Sequence, residues 1–454
     1  MTVEGLTINS LKKKDLLTLG FMMFSIYFGA GNLIFPPALG QAAGDHTLHA
    51  MLGFMTTGIG LPLLGITAIA LAGGEYVPLL HAKTWPRFAT VLLVILYLII
   101  GPLFAMPRTG AVSFEIGIRP FLSADNLALG QIIYTAIFFA SSYYLALNPN
   151  KIIDRVGRML TPALLIVLLI LFVQAFHAPL GAILPATGAY INAPFAQGFQ
   201  DGYQTMDLLA SIAIGALVAN AVRMRGITDS RAVGAACLVS GLITVMLMAA
   251  VYGSLAYIGA TSTSVLGQAE NGGQILSAAV GIFFGSAGNL LLAVIIGLAC
   301  LTTCCGITSS AAMFFNKLLK GRVSYERLLL FSILFSFAAS NVGLTQIIAL
   351  AIPFLVTIYP LIIVFVILSL FDRFIGWRKS IYQGAMVLTL VFSLIDGLHA
   401  AGLSSEPVHA LLVAYIPFYN IMMGWVCPAV IGALVGLAVS FFQTAPAAAK
   451  ESQV

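Results

Sequence analysis

The sequence predicts an all-α polytopic membrane protein of twelve spanning helices, on the evidence of its composition, its apolar segments and its positive charges. Of its 454 residues, 60% are hydrophobic and only 8% are charged, and the mean hydropathy is +1.02. Soluble domains carry about 25% charged residues, so this chain cannot cover a water-exposed surface with polar groups. The net charge of +5 is spread over short clusters between apolar segments, which gives no indication of nucleic-acid binding.

Twelve apolar segments supply the predicted spans, because a spanning α-helix needs about 20 mostly apolar residues. No small-residue cleavage site follows the first segment, so we expect it to remain in the mature protein. The segments lie near residues 16–40, 48–73, 88–115, 128–147, 152–175, 203–222, 231–259, 278–306, 325–341, 344–370, 378–399 and 408–442.

The positive charges follow the alternation that this number of spans requires. With the N-terminus inside, all but two of the 21 Lys and Arg residues lie in the loops and ends predicted to be cytoplasmic, as the positive-inside rule expects. The exceptions are Arg119, on the predicted outer side, and Arg108, within a span. A wrong number of spans would disrupt this alternation, so we expect both termini in the cytoplasm.

The spans divide into two blocks of five, which form one transmembrane domain over residues 1–454. A long uncharged loop, residues 177–200, separates the block at 16–175 from the block at 203–370. An odd number of spans in each block places the second upside down relative to the first, as in an inverted-topology repeat. Two additional helices, within 378–442, follow the repeat.

The first span carries residues that interrupt a helix. Gly29-Ala30-Gly31-Asn32 lies at its middle, and Pro36-Pro37 follows. Glycine and proline both weaken helices, so we predict a discontinuous helix that is split near Gly29–Asn32. Such a break presents main-chain N–H groups to an anion and carbonyl groups to a cation. The alternative is an intact helix in which small residues permit close packing.

The sixth span is the counterpart of the first in an inverted repeat, so we expect it to be interrupted too. The polar residues around Asp207, within the stretch 202–211, mark the predicted position. A carboxylate within a span is costly and needs a reason. Asp207 could support an ion site, take part in proton coupling, or accept hydrogen bonds from N–H groups exposed at the break.

The third span holds two further ionisable residues, Arg108 and Glu115. For Arg108 we consider a structural tie, to loosened main-chain carbonyls or a buried carboxylate, and a role in gating. Glu115 and Arg119 are four residues apart, the spacing of an ion pair on one helix face. That pair is compatible with a position at the membrane interface.

The eighth span contains Thr302 and Thr303, followed by three more hydroxyl residues up to Ser310. A single threonine often donates to a carbonyl of its own helix, but this number of hydroxyls exceeds what that needs. Together with carbonyls of a broken helix they would provide neutral oxygens for Na⁺.

No motif of an enzyme accompanies these features. The sequence contains no HExxH, P-loop or GxSxG motif. Its five cysteines all fall in apolar segments, which does not indicate a disulfide framework. Cys300 and Cys304 are better interpreted as small core residues than as metal ligands. We therefore expect a protein that is not an enzyme.

Four stretches carry a resemblance to the branched-chain amino-acid:cation symporter family, bacterial carriers for leucine, isoleucine and valine. They are FGAGNLIFPPALGQAAG (28–44), GPLFAMPRTGAVSFE (101–115), GYQTMDLLA (202–210) and CLTTCCGITSS (300–310). The family is similar to the wider LeuT-type group of transporters. The resemblance implies sodium-coupled import of these amino acids across a bacterial inner membrane, by alternating access within a five-plus-five repeat.

The resemblance also implies site residues. It assigns the substrate carboxylate to the main chain of Ala30, Gly31 and Asn32 and a Na⁺ site to the carbonyls of Ser25 and Phe28 with the hydroxyls of Thr302 and Thr303. The sixth-span residues that would supply carbonyls to the substrate amine are Tyr203, Gln204, Thr205, Met206 and Asp207. In that stretch the small residues of the group's break are replaced by Thr-Met-Asp-Leu-Leu.

Two alternative functions stay open. A proton-coupled or exchanging amino-acid carrier would use Asp207 or Glu115 as its proton site. An ion channel would need a filter or a ring of charges around a symmetric pore, and a repeat within one chain argues against it. The sequence leaves the oligomeric state open.

Overall fold

The computed structural model describes residues 12–442, apart from Glu75, Asn148, Thr228, Trp377 and Ser405. The side chains of residues 149–161, Arg373, Ile375, Glu406, Val408 and His409 are also outside the described set. The termini predicted to be cytoplasmic, residues 1–11 and 443–454, likewise lie outside the described residues. The regular secondary structure of the described part is all helical, without a β-strand.

The α-helices occur in the following order along the described chain. They are α1 (Lys13–Tyr27), α2 (Ala30–Ala43), α3 (Thr47–Met55), α4 (Leu61–Leu71), α5 (Tyr76–Lys83), α6 (Pro86–Leu98), α7 (Ala105–Gly117), α8 (Leu127–Ala146), α9 (Pro149–His177), α10 (Pro194–Asp201), α11 (Asp207–Arg223), α12 (Ser230–Leu266), α13 (Gly272–Leu318), α14 (Tyr325–Ser340), α15 (Leu344–Leu370), α16 (Asp372–Ile375), α17 (Lys379–Ala400), α18 (Glu406–Tyr415) and α19 (Val426–Phe442).

The protein is a multi-pass membrane protein. Within the described residues, seven helical segments are long and apolar enough to cross a bilayer, and a bent pair of helices gives an eighth. The seven are Ala30–Leu71, Pro86–Phe121, Ala124–Ala146, Ser230–Leu266, Gly272–Leu318, Leu344–Leu370 and Lys379–Ala400, and the bent pair is Pro194–Thr205 with Asp207–Arg223. The run Ala30–Leu71 leaves helical backbone at Gly44, where φ is +47°.

The first predicted span is interrupted between α1 and α2. Phe28 and Gly29 are both extended, with φ/ψ of −73°/99° and −126°/−168°. The interruption therefore lies at the start of the predicted stretch, and Ala30, Gly31 and Asn32 form the first turn of α2. Their N–H groups are among the four at a helix N-terminus that have no partner within the helix.

The sixth predicted span is interrupted at Met206, whose φ of +62° is uncommon for a residue other than glycine. A 3₁₀ turn, Gly202–Thr205, precedes it, and α11 begins at Asp207. The halves differ in direction by 48°. The predicted start of this span at residue 203 is wrong, because the helix begins at Pro194. Its N-terminal half is a polar helix, PFAQGFQD, which lacks the apolar signal of a span.

The third predicted span, 88–115, has an interruption that the sequence analysis missed. It is a π-helical turn, Ile99–Leu103, in which Gly101 has non-helical backbone (φ −103°, ψ −126°). Pro102 follows and removes an N–H donor from the turn. Its carbonyl accepts a hydrogen bond of 3.5 Å from Ser336 of α14. The break lies one to two turns before Arg108.

Two other predicted spans also differ from the structure in length. The eighth, predicted over 278–306, belongs to the 47-residue helix α13, which kinks at Gly285 where φ is +63°. The last, predicted over 408–442, consists of α18, a 3₁₀ turn at Tyr419–Ile421, and α19. Because glycine tolerates positive φ without steric penalty, the kink at Gly285 needs no compensating contact.

Glycines allow α2 to pack tightly against its neighbours. A Cβ added at Gly40 of α2 would overlap the carbonyl oxygen of Ala256 in α12. Likewise, a Cβ at Gly259 would overlap the carbonyl of Pro37, and one at Gly272 that of Ile34. Backbones in contact through small residues are typical of membrane helix interfaces. These contacts hold α2 in place against α12 and α13.

Candidate functional site

The two interruptions in the first and sixth spans meet at a buried polar contact. The side-chain amide of Asn32, in the first turn of α2, donates a hydrogen bond of 2.7 Å to Oδ2 of Asp207 at the start of α11. The same amide group donates to the hydroxyl of Tyr252 in α12. Tyr252 donates in turn to Asp207 Oδ2 at 3.4 Å. We call Asn32, Asp207 and Tyr252 the junction.

Asn32 also stabilises the first interruption. Its side-chain oxygen accepts a hydrogen bond of 3.1 Å from the main-chain N–H of Gly29. An amide side chain offers both an acceptor and two donors, so this one residue fixes the extended backbone at Gly29 and reaches the second interruption. Asn32 is therefore hydrogen-bonded to both breaks.

Arg108 of α7 lies between the two broken helices. It is 4% exposed, and its Nη1 donates a hydrogen bond of 2.6 Å to the carbonyl of Gln204 in the second interruption. Its guanidinium carbon is 5.2 Å from the ring centroid of Phe35 in α2. The structure thus contains a hydrogen bond between Arg108 and a main-chain carbonyl at an interruption. This is one of the two roles that the sequence suggests for Arg108.

Two polar atoms beside this contact have no hydrogen-bond partner among the described residues. They are Nε of Arg108 and Oε1 of Gln204. Buried polar atoms are nearly always hydrogen-bonded, so this unpartnered donor and this unpartnered acceptor each call for an explanation. The remaining sixth-span candidates are all buried too: Tyr203, Thr205 and Met206.

The candidate cation ligands lie at the first interruption and on α13. A Cβ added at Gly29 would lie 3.4 Å from the methyl group and 3.7 Å from the hydroxyl of Thr303. The hydroxyl of Thr302 donates to the carbonyl of Ala299 at 3.0 Å, within its own helix. Ser25 and Phe28 belong to the last turn and the end of α1. The structure thus brings Thr303 directly against the interruption.

Glu115 belongs to a different cluster. Its Oε1 accepts hydrogen bonds from Arg119 at 2.6 Å, Gln274 at 2.8 Å and Asn271 at 3.2 Å. Asn271 and Gln274 precede and begin α13. Glu115 therefore ties the end of α7 to the start of α13 and contacts neither interruption through these bonds. The i,i+4 pair with Arg119 is the one that the sequence predicts.

Sequence reasoning missed Tyr252 and the aromatic packing behind the second interruption. Tyr252 is fully buried and lies 45 residues from its partner Asp207. The ring of Tyr203 stacks on that of Tyr359 in α15, with 4.4 Å between centroids. The sequence feature that could have identified Tyr252 is a tyrosine within an apolar segment. A buried tyrosine hydroxyl usually needs a hydrogen-bond partner, so such a residue indicates a polar contact inside the protein.

An apolar cavity lies beside α1, the N-terminal half of the first predicted span. Its lining includes Met23 and Tyr27 of α1, Ile59 and Leu63 of the second span, and Met248 of α12. None of the predicted site residues lines it. At the junction itself, direct hydrogen bonds join the two interruptions.

We expect Gly31→Ala to lower the free energy of unfolding by about 1–3 kcal/mol, the cost of leaving a buried polar group poorly paired. A Cβ at this position would lie 2.9 Å from Nη2 of Arg108 and 3.3 Å from the Phe35 ring, so the guanidinium must move away from its hydrogen bond to Gln204. The measurement is thermal unfolding in detergent. Gly306→Ala in α13 is the control, because a Cβ there meets nothing within 4 Å. Equal stability of the two variants would contradict the placement of Arg108.

The fold and the junction define a class of protein. Two interrupted helices that meet at a buried polar contact, within a multi-pass helical protein, are the architecture of secondary transporters. The chain belongs to the family of branched-chain amino acid transport proteins, whose family model matches residues 12–443. It is accordingly a transporter and not an enzyme.

Relatives of known name cover nearly the whole chain. The branched-chain amino acid permease BraB of Bacillus subtilis is 46% identical over 434 residues, which are 96% of this chain and 97% of that protein. The branched-chain amino acid transport system 2 carrier protein of Pseudomonas aeruginosa is 44% identical over 92% of this chain and 94% of its own. The Escherichia coli permease BrnQ is 39% identical over 93% and 95%.

Solved structures share the fold at low sequence identity. Mhp1, a nucleobase-cation-symport-1 family transporter in a closed conformation with bromovinylhydantoin bound, matches with a TM-score of 0.59 at 13% identity, covering 94% of this chain and 92% of its own. MhsT in complex with L-phenylalanine matches with a TM-score of 0.56 at 17% identity, covering 93% and 98%. These likenesses establish a LeuT-type fold.

Proposed function

We propose that this protein imports leucine, isoleucine and valine across a bacterial inner membrane by sodium-coupled symport. The observation that carries the proposal is the junction, where Asn32 links both interruptions through a 2.7 Å hydrogen bond to Asp207. Relatives named as branched-chain amino acid permeases and carriers support the substrate class. Both termini face the cytoplasm in this proposal, in accordance with the positive-inside rule.

The proposed architecture has twelve spans. Two inverted blocks, residues 16–175 and 203–370 with the latter extended to Pro194, precede two additional helices within 378–442. The positions of the interruptions support this arrangement, because they fall in the first and sixth predicted spans, the first of each block. Alternating access then proceeds by rocking one group of helices against the other around the junction.

The substrate lies at the junction in this proposal. The N–H groups of Ala30, Gly31 and Asn32 at the start of α2 receive its carboxylate, since a helix N-terminus attracts anions. Main-chain carbonyls of Tyr203–Asp207 receive its amine. An aliphatic pocket distinguishes side chains by about 1–3 kcal/mol per methylene, so leucine, isoleucine and valine compete for one site.

The coupling ion is Na⁺ in this proposal, with four residues as ligands. They are Ser25 and Phe28 through their carbonyls and Thr302 and Thr303 through their hydroxyls. Neutral oxygens at an unwound helix are the ligands that LeuT-type transporters offer to Na⁺. The support is the position of Thr303 against Gly29, at the end of α1. Na⁺ there would hold the first interruption in the shape that binds substrate.

Uptake of labelled leucine into proteoliposomes tests the function. We expect saturable uptake that an inward Na⁺ gradient drives and that isoleucine and valine inhibit. The buried carboxylate of Asp207 at the junction favours proton coupling as a second candidate. Uptake driven equally well by a proton gradient without Na⁺ would establish that candidate instead. Flux that does not saturate or respond to competitors would indicate a channel.

We expect Thr302→Ala combined with Thr303→Ala to raise the Na⁺ concentration for half-maximal uptake at least about tenfold, because two oxygen ligands are lost. The measurement is leucine uptake as a function of external Na⁺. Thr308→Ala is the control, since this hydroxyl of the same helix donates to the carbonyl of Cys304 at 2.6 Å. If the double variant kept the wild-type Na⁺ dependence, the site assignment would be wrong.

A further inference from the structure

We infer that Arg108 and Asp207 are the two halves of a charge arrangement that a zwitterionic α-amino acid completes. Arg108 binds the substrate carboxylate and Asp207 binds the substrate ammonium group. The inference rests on the proposed function and deepens it, because it assigns charged side chains, in addition to main-chain groups, to the two ends of the substrate. It also makes both charged groups of the substrate necessary for binding.

The first step of the argument is that the two charges are buried and not paired with each other. Arg108 and Asp207 are each 4% exposed. The ion pairs within 4 Å in the described part of the chain are Lys83–Asp372 and Arg119–Glu115. Buried charges without an ionic partner are expensive, and within a membrane they mark substrate or ion pathways.

The second step is that neutral groups of the two interruptions contact the two charges. Arg108 donates to the main-chain carbonyl of Gln204, and Asp207 accepts from the amide of Asn32. Both contacts belong to the interrupted helices. The protein therefore solvates each charge with dipoles at the place where the substrate is proposed to bind.

The third step concerns the bonding capacity that remains. A guanidinium has five N–H donors, and Nε of Arg108 has no partner in the described part of the molecule. Oε1 of Gln204, which is 8% exposed, is also unpartnered. A carboxylate accepts bidentate hydrogen bonds from a guanidinium, so the unused Nε suits a ligand carboxylate.

The fourth step places the guanidinium beside the proposed carboxylate site. A Cβ built on Gly31 would lie 2.9 Å from Nη2 of Arg108, which puts the guanidinium against the first turn of α2. The N–H groups of that turn carry the positive end of the helix dipole. Arg108 and the N-terminus of α2 thus attract an anion to the same position.

The chemistry of the ligand follows from these charges. One positive and one negative side chain are complementary to a molecule that carries a carboxylate and an ammonium group on one carbon atom. Such a ligand is neutral overall and gives each buried side chain an opposite charge. Leucinamide retains the ammonium group and lacks the carboxylate charge, whereas 2-hydroxy-4-methylpentanoate retains the carboxylate and replaces the ammonium group by a hydroxyl.

The experiment compares these two analogues with leucine as competitors of labelled leucine uptake. In the wild type we expect each analogue to bind at least about tenfold more weakly than leucine. Arg108→Gln should remove most of the discrimination against leucinamide and leave that against the hydroxy acid unchanged. Asp207→Asn should have the opposite pattern. Arg225→Gln is the control, because Arg225 donates to the carbonyl of Ala221 at 2.7 Å at the end of α11.

The outcomes separate this inference from the proposed function. Sodium-driven leucine uptake by the wild type establishes the function whatever the analogues do. Equal affinity of the wild type for leucine and leucinamide would overturn the inference, as would Arg108→Gln with unchanged discrimination. Where a variant no longer transports, ligand-induced thermal stabilisation of the purified protein gives the same ratios. Arg108→Lys replaces Arg108→Gln if the latter does not purify as a single species, and must show a smaller loss in the same direction.

Discussion

Asn32→Asp should abolish leucine uptake and destabilise the protein by about 3–5 kcal/mol, the cost of an uncompensated buried charge. The amide nitrogen of Asn32 is 2.7 Å from Oδ2 of Asp207, and a carboxylate there would place two acceptors at hydrogen-bond distance. The substitution also removes the donor to Tyr252. Proteoliposome uptake and thermal unfolding in detergent measure the two effects.

A variant in which Asn32 and Asp207 exchange side chains tests whether their contact causes the loss of stability. Asn32→Asp combined with Asp207→Asn restores one amide and one carboxylate at the same two positions, so most of the lost stability should return. Asn126→Asp is the control for the change from amide to carboxylate alone, since Asn126 is exposed and its amide donates to Ser123, three residues away. If the exchanged pair were as unstable as Asn32→Asp alone, direct contact would not explain the effect.

The interruptions were predictable where their cause is local. Gly29, Gly31 and the two following prolines weaken a helix through their own backbone properties, so the sequence locates the first break to within a few residues. The second break is at Met206, a residue other than glycine that has a positive φ. The residue type at this position therefore does not predict the break. The sequence predicts it near Asp207 because a charged residue stands out within an apolar segment, and an inverted repeat requires a counterpart of the first break.

The contacts that make the site were not predictable from the sequence. Asn32 and Asp207 are 175 residues apart, and Asn32 and Tyr252 are 220 apart. Nothing in either stretch specifies its partner, because the register depends on how α2 packs against α12. The break at Gly101 was missed for a different reason. The Gly-Pro pair that causes it lies in a strongly apolar stretch that also fits an unbroken span.

Two sets of buried charges in the described part of the chain are arranged differently. Lys83 and Asp372 pair directly, with Nζ at 2.7 and 2.8 Å from the two carboxylate oxygens, whereas Arg108 and Asp207 are held apart by neutral groups. In a direct ion pair each charge is balanced by its partner, so neither side chain is left to bind a charged ligand. We interpret the first arrangement as structural and the second as the one that suits a substrate.

The structural role of the Lys83–Asp372 pair leads to a second large effect. The two side chains are 3% and 10% exposed, and Tyr382 of α17 donates to Asp372 at 3.0 Å. The pair therefore ties α5 to α16 and α17. Lys83→Met leaves a buried carboxylate without its cation and should destabilise the protein by about 3–5 kcal/mol. Lys83→Met combined with Asp372→Leu removes both charges and should be within about 1 kcal/mol of wild type.

Thermal unfolding of the wild type, Lys83→Met, Asp372→Leu and the double variant in one detergent gives the double-mutant cycle that isolates the interaction. Arg119→Met is the matched control for breaking an ion pair. Arg119 is 36% exposed and its partner Glu115 keeps hydrogen bonds from Asn271 and Gln274, so the loss should be below about 1 kcal/mol. A Lys83→Met variant no less stable than Arg119→Met would mean that α5, α16 and α17 are held together by apolar packing alone.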